Sequence, residues 1–260
     1  DLFSYIIKTL SKRQFETILS INKTKEEKMN NELLLIASVI VIYGGTLVFF
    51  KAFKLQGLYS WTVIATICAN IEVLILIRAF GMEQTLGNVM FASSFLITDI
   101  VSEIYGKKEA NRAVNIGILT SISFIVLSQI WLMYTPSQND SAMEHIKAIF
   151  SNTPRLMIVS FLVYAVSQKL DVWLYHKWWA FTDRRFGKHD RFLWLRNNGS
   201  TLISQLINTV IFNIGAFWGT YDSKTLLSIV ISGYLIYVVT SLLDTPFVYW
   251  ARKIARKSGK

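Results

Sequence analysis

The sequence predicts an all-α polytopic membrane protein, and three observations carry that expectation. Of 260 residues, 52% are hydrophobic and 14% aromatic. The apolar residues gather in seven stretches, 33–50, 58–77, 85–105, 113–134, 155–179, 200–218 and 225–250, each with roughly the ~20 residues that a helix needs to cross a ~30 Å hydrocarbon core. Tryptophans stand near their ends (Trp61, Trp131, Trp173, Trp178, Trp179, Trp218 and Trp250), where amphipathic rings meet lipid head groups. The loops between are short, which leaves little for a separate soluble domain.

In chain order, residues 1–31 form a basic, amphipathic segment. Phe3, Ile6, Ile7 and Leu10, then Phe15, Ile18 and Leu19, recur at helical spacing with Lys and Arg between them. That pattern suits a helix lying on the membrane surface, and equally a soluble-side extension or a leftover ahead of an alternative start at Met29. Because the sequence opens on Asp1 rather than methionine, a fragment or a processed form is expected. Residues 32–57 hold an additional N-terminal hydrophobic helix and its loop, in which Gly44–Gly45 predicts a kink or a close helix contact. The remaining six stretches fill residues 58–250. The single cysteine, Cys68, lies within a stretch, which excludes an intrachain disulfide framework or thiolate metal cluster.

Charge sets the expected orientation. Loops 51–57, 106–112 and 180–199 and tail 251–260 together hold 15 Lys and Arg, whereas loops 78–84, 135–154 and 219–224 hold 3. That bias places the C-terminus in the cytoplasm of a multi-pass protein of the cell inner or plasma membrane. The net charge of +10 therefore reads as positive-inside loops facing anionic lipid, not as a surface for nucleic acid. Seven crossings would leave residues 1–31 outside despite their six basic residues, unless the first stretch crosses only in part.

Polar residues inside these stretches point to a site. A carboxylate in hydrocarbon costs at least a few kcal/mol, and Asp99 and Glu103, four apart, share one helix face. Asn70 lies in the second stretch, Gln168 and Asp171 in the fifth, Gln205 and Asn208 in the sixth, and Asp244 near the end of the seventh. With the C-terminus inside, most of these groups share a depth between mid-membrane and the inner leaflet. Structural roles stand beside the functional one. Gln168, Gln205 and Asn208 could bond helix to helix. Asp99 and Glu103 could pair with Lys108, Arg112 or Arg196, and Asp171 with Lys169 or Lys177. Asp244 precedes Thr245–Pro246, where a proline kink is an equal reading. A site of acids, amides and aromatic rings suits a flat, neutral, polar molecule, since the polar groups meet the edge of a heterocyclic base and rings stack on its faces. Asn70, Asp99, Glu103, Gln168, Asp171, Gln205, Asn208 and Asp244 are the expected substrate-binding residues.

The stretches ANIEVLILIRAFG, TLGNVMFASSFLITDIVSEIYGKKEA, VSQKLDVWLYH, RNNGSTLISQLINTVIFN and LLDTPFVYWARKI, in this order, resemble the queuosine precursor transporter family, also called the vitamin uptake transporter family. The likeness covers most of residues 58–255. It implies a six-helix transporter core at 58–250 within a domain of residues 58–260. It also implies inward movement of 7-deazaguanine bases or queuine, a 7-deazapurine substrate for tRNA-modification salvage. Where many relatives carry aspartate this chain has Asn208, and Arg78 follows Leu76 and Ile77 where an intramembrane lysine is not obvious. The first helix and residues 1–31 lie outside the shared core.

No GxxxxGK[ST] phosphate loop is present, so the chain is not expected to hydrolyse ATP itself. A facilitator, a proton-coupled carrier and a binding subunit energised by a separate ATPase all remain, as does a carrier of another small heterocycle. His145, His176 and His189 are too scattered for a metalloenzyme motif, and no enzyme or cofactor is expected. The expected partners are the substrate and the lipid bilayer, with a homodimer conceivable through the smooth first helix and no direct nucleic acid.

Overall fold

The computed structural model describes residues 12–150, 154–187, 191–219 and 222–257, with side chains described except at 12–30, 83 and 154–157. Its elements are α1 (Lys12–Glu72), β1 (Leu76–Ala79), β2 (Met82–Thr85), α2 (Gly87–Tyr105), α3 (Lys107–Leu132), α4 (Met143–Phe150), α5 (Pro154–Phe186), α6 (Leu193–Phe217) and α7 (Ser223–Lys257). The protein is mainly helical, as its composition requires. Four segments are long and apolar enough to cross a membrane: Asn31–Glu72, α3, α6 and α7. The expected surface segment lies partly outside the described residues, and from Lys12 onward it runs into the first apolar helix without a break.

The first two apolar stretches are two limbs of α1, parted by one non-helical residue, Lys54 (φ 55°, ψ −130°). The limbs fold back on each other. A Cβ on Gly45 would sit 2.6 Å from the Trp61 ring, and Phe49 packs on that ring at 4.8 Å between centroids. In an unbroken helix those 16 residues would span ~24 Å. The glycine pair therefore supplies a close contact at Gly45, while the break falls nine residues later.

One expectation fails outright. The stretch 58–77 does not stay helical to its end: α1 stops at Glu72, and Leu76–Thr85 form a hairpin in the register Leu76↔Thr85 to Ala79↔Met82. Phe80 and Gly81 both adopt positive φ (51° and 78°), the two-residue turn whose twist matches paired strands. A short apolar run reads alike as the last turn of a helix or as a strand, so hydropathy could not separate them. The hairpin is tied to α1, where Asn31 Nδ2 donates to Arg78 O (3.0 Å) and the Phe80 N–H to Glu32 Oε1 (2.8 Å).

α2 is the central helix. It packs against α1, α3, α5 and α7, and nearly every residue from Val89 to Ser102 is buried. Its C-terminal end turns into α3 through one residue, Gly106, at φ 84° with its N–H on Val101 O. α3 and α5 approach closely enough at Gly117 that a Cβ there would strike the Tyr164 hydroxyl. The loop expected at 135–154 contains the short helix α4, whose Phe150 closes a small cluster with Phe124 and Trp131.

Gly106→Ala is expected to lower thermal stability in detergent by the equivalent of ~1 kcal/mol, because open space surrounds the Cα and only the left-handed backbone resists a side chain. Gly44→Ala, mid-helix and equally open, should be neutral or stabilising by a few tenths of a kcal/mol. Equal melting shifts for the two would contradict the conformational account.

Candidate functional site

Three polar layers lie along the bundle, ordered by the sequence of α6. Its buried face carries Arg196, Asn197, Thr201, Ser204, Gln205 and Asn208, about 18 Å of helix from first to last. Helix periodicity alone puts these residues on the face toward α2, α5 and α7.

The first layer is an ion pair at the basic end. Arg196 is wholly buried and grips Glu103 with two nitrogens, Nη2 to Oε1 and Oε2 at 2.7 Å and Nε to Oε2 at 2.9 Å. Tyr175 donates its hydroxyl to the same carboxylate at 2.7 Å, and Arg252 approaches at 3.6 Å. Arg196 also donates to Arg191 O and lies over the Trp179 ring at 4.2 Å. The pair joins α2, α5, α6 and α7 at one point. Of the three pairings open to Glu103 in the sequence, the Arg196 one is realised.

The second layer holds three buried aspartates. Thr201 Oγ1 donates to Asp99 Oδ2 (3.2 Å), Ser204 Oγ to Asp171 Oδ1 (2.8 Å) and Asn197 Nδ2 to Asp244 Oδ1 (2.7 Å). Asp99 and Asp171 are neighbours in this layer. Asp99 Oδ1, Asp171 Oδ2 and Asn197 Oδ1 have no donor. Among the described residues, no lysine or arginine pairs with any of the three acids. The pairing of Asp171 with Lys169 or Lys177 is therefore not what the structure shows.

Above the acids, Gln168 ties α5 to α2: its Nε2 donates to Ser94 Oγ (2.5 Å) and its Oε1 accepts from Thr98 (3.2 Å). Asn208 Nδ2 donates to Gln205 Oε1 at 3.3 Å. Here the third layer opens into a small cavity of about 50 Å³, lined by Asn70, Asn88, Phe91, Asn208, Phe212 and Tyr237 among others. A second compartment, about 480 Å³, continues it between the hairpin, the end of α6 and the start of α7, sharing Thr85, Asn88, Asn208, Phe212 and Tyr237. The mouth thus lies at the hairpin end, opposite the ion pair. The inner compartment has no charged residue in its lining.

Of the eight residues expected at the site, Asn70 and Asn208 line the inner cavity, while Gln168 and Gln205 lie next to it through Ser94 and Asn208. Asp99, Asp171 and Asp244 form the layer beneath, and Glu103 lies deepest, in its ion pair. Asn88 and Tyr237 were missed. They bond each other (Tyr237 hydroxyl to Asn88 Oδ1, 3.0 Å) where both compartments meet. An amide one position after Gly87, within an apolar stretch, was the available signal for Asn88; Tyr237, one of three tyrosines in α7, gave none.

The family model described as "Putative vitamin uptake transporter" matches residues 85–251, which takes in every helix from α2 to most of α7. A "Probable queuosine precursor transporter" of Bacillus subtilis (strain 168) is 39% identical over 226 residues, 87% of this chain and 96% of that protein. The "Queuosine precursor transporter" of Escherichia coli (strain K12) is 28% identical over 177 residues, 67% of this chain and 72% of the relative. No solved structure matches the chain. The family is one of transporters, not enzymes, and its match runs through the helices that carry all three polar layers. With that match and the length of its likeness to these relatives, the chain is a multi-pass membrane protein that belongs to the queuosine precursor transporter family, also called the vitamin uptake transporter family.

Proposed function

We propose that the chain imports queuosine precursors, 7-deazaguanine bases or queuine, by alternating access through a six-helix core. That core comprises the second limb of α1 with α2, α3, α5, α6 and α7, and the first limb is an addition to it. The observation that carries this reading is the uncharged, amide- and aromatic-lined cavity, since a neutral planar base needs ring faces and hydrogen-bonding edges but no counter-ion. Asn70, Asn88 and Asn208 would meet the base edge, and Phe91, Phe212 and Tyr237 its faces. Gln205 positions Asn208 from behind, and Gln168 braces Ser94 of the cavity wall. The loop charge bias puts the C-terminus in the cytoplasm, so the mouth faces outward and the Glu103–Arg196 pair closes the inner end. The names of the two relatives support the substrate class.

Asp99, Asp171 and Asp244 favour proton coupling over simple facilitation. Three buried carboxyl groups share this layer, and no described cation is paired with them, so a proton is the simplest counter-charge for one of them. In this reading that proton arrives from outside and leaves inside, and the substrate above the acids moves with it.

The decisive assay is queuosine in the tRNA of cells that lack both synthesis and native uptake, given this chain and low concentrations of each base. Restoration is expected for the wild type. Asn208→Ala should cut the initial uptake rate at least tenfold, because the truncated side chain leaves a base edge unmatched at the neck of the cavity. Asp171→Asn, which keeps the shape but not the proton site, should abolish accumulation driven by an imposed pH gradient while sparing binding. A variant that still responds to the gradient would remove the acids from coupling. Arg196→Met strands the Glu103 carboxylate and is expected to lower stability by ~3–5 kcal/mol, with Glu103→Gln/Arg196→Met regaining part of it. A melting curve unchanged in the single variant would show that the ion pair does not hold the inner end.

A further inference from the structure

The inner compartment carries a feature that the amide edge leaves unused. Thr66, on the second limb of α1, and Ser160 and Tyr164, on α5, all line it. The side-chain oxygen of each is buried and has no hydrogen-bond partner. Thr66 and Tyr164 are near neighbours whose hydroxyls miss hydrogen-bond geometry with one another. Buried hydroxyls are satisfied in nearly all folded proteins, and one orphan has many explanations. Three on one wall of one cavity share a single space in which a common partner would fit.

Position gives the ligand an orientation. Thr85, Asn88, Asn208, Phe212 and Tyr237 line both compartments and so mark the neck between them, whereas Thr66, Ser160 and Tyr164 line the inner compartment alone. A planar base held at the neck by Asn88 and Asn208 presents whatever projects from its ring to the hydroxyls beyond. Gly117 makes this wall possible, because a side chain there would displace the Tyr164 hydroxyl.

Resting on the reading of the cavity as a heterocycle site, we propose that Thr66, Ser160 and Tyr164 form a hydroxyl subsite that recognises a polar substituent on the ring. Each hydroxyl both donates and accepts, so the subsite takes a small nitrogen- or oxygen-bearing group and discriminates against a bare ring. These are specificity-determining residues. The asparagines hold what all substrates share, and the hydroxyls read what distinguishes them.

The test uses the purified full chain and three probes: 7-deazaguanine, and the same base carrying a cyano or an aminomethyl group at ring position 7. Wild type is expected to bind at least one substituted base roughly tenfold more tightly than the bare one. In Thr66→Val/Ser160→Ala/Tyr164→Phe that preference should vanish, with affinity for 7-deazaguanine nearly unchanged. The ligand-free melting temperature of the variant should hold or rise, because no existing hydrogen bond is removed; a merely structural trio would lower it. A variant that keeps the preference overturns the subsite, and so does a wild type that binds all three probes equally; both leave the transport reading intact. A wild type that binds none of the probes overturns that reading and the subsite with it. Should the triple variant fail to fold, Tyr164→Phe alone carries the same comparison, with a smaller expected loss of preference.

Discussion

Asp99 and Glu103 are tolerable in a membrane protein only because α2 is wrapped by its neighbours, and this enclosure governs the rest of the architecture. Placing acids on a lipid-facing helix would cost several kcal/mol per group. Surrounding that helix with α1, α3, α5 and α7 removes the contact with lipid, and most of its long polar side chains are then met by another helix. The result is visible in the bonds. Ser94 and Thr98 meet Gln168 of α5, Asp99 meets Thr201 of α6, and Glu103 meets Arg196 of α6, Tyr175 of α5 and Arg252 of α7. Lipid-facing surface is left to the outer helices, where Leu34, Val41, Leu119 and Leu242 are among the exposed apolar residues.

The two ends of this polar column differ in chemistry. At the basic end, charge is matched by charge, with an arginine fork, a tyrosine hydroxyl and a stacked tryptophan saturating one carboxylate. Such a contact is strong when intact and costly when half removed, the behaviour of a closure rather than of a binding surface. Around the inner cavity the polar groups are neutral and only partly satisfied, which leaves capacity for a guest. The aspartates between them belong to neither regime.

Much of this was legible in the sequence, and the gaps have physical causes. Period and hydropathy report burial against lipid or protein, so α3, α6 and α7 were read as helices but each six or seven residues short at its polar end, and the polar residues of α2, α5 and α6 marked the inward faces. Those signals say little about where backbone hydrogen bonding changes type. Residues 73–77 stay apolar as the chain leaves α1 and enters a strand, and the chain reversal at Lys54 was invisible because one residue in an unusual conformation suffices for it. Among the eight named site residues, the sequence brought the right helices together but could not order them by depth. It gave Glu103 and Asn70 equal standing, though one ends in an ion pair and the other on a cavity wall. The hydroxyl wall was illegible for a further reason: serine, threonine and tyrosine are unremarked in apolar helices, and only a structure reveals which hydroxyls lack a partner.

Gly106 joins α2 to α3 by a single residue, with no slack on either side. Glu103 thus sits within one turn of that joint, and the groups that hold it come from three other helices, Tyr175 of α5, Arg196 of α6 and Arg252 of α7. Parting the basic end would take all three from the carboxylate together. An aqueous path created there would meet first a bare carboxylate, and one helical turn deeper the aspartates.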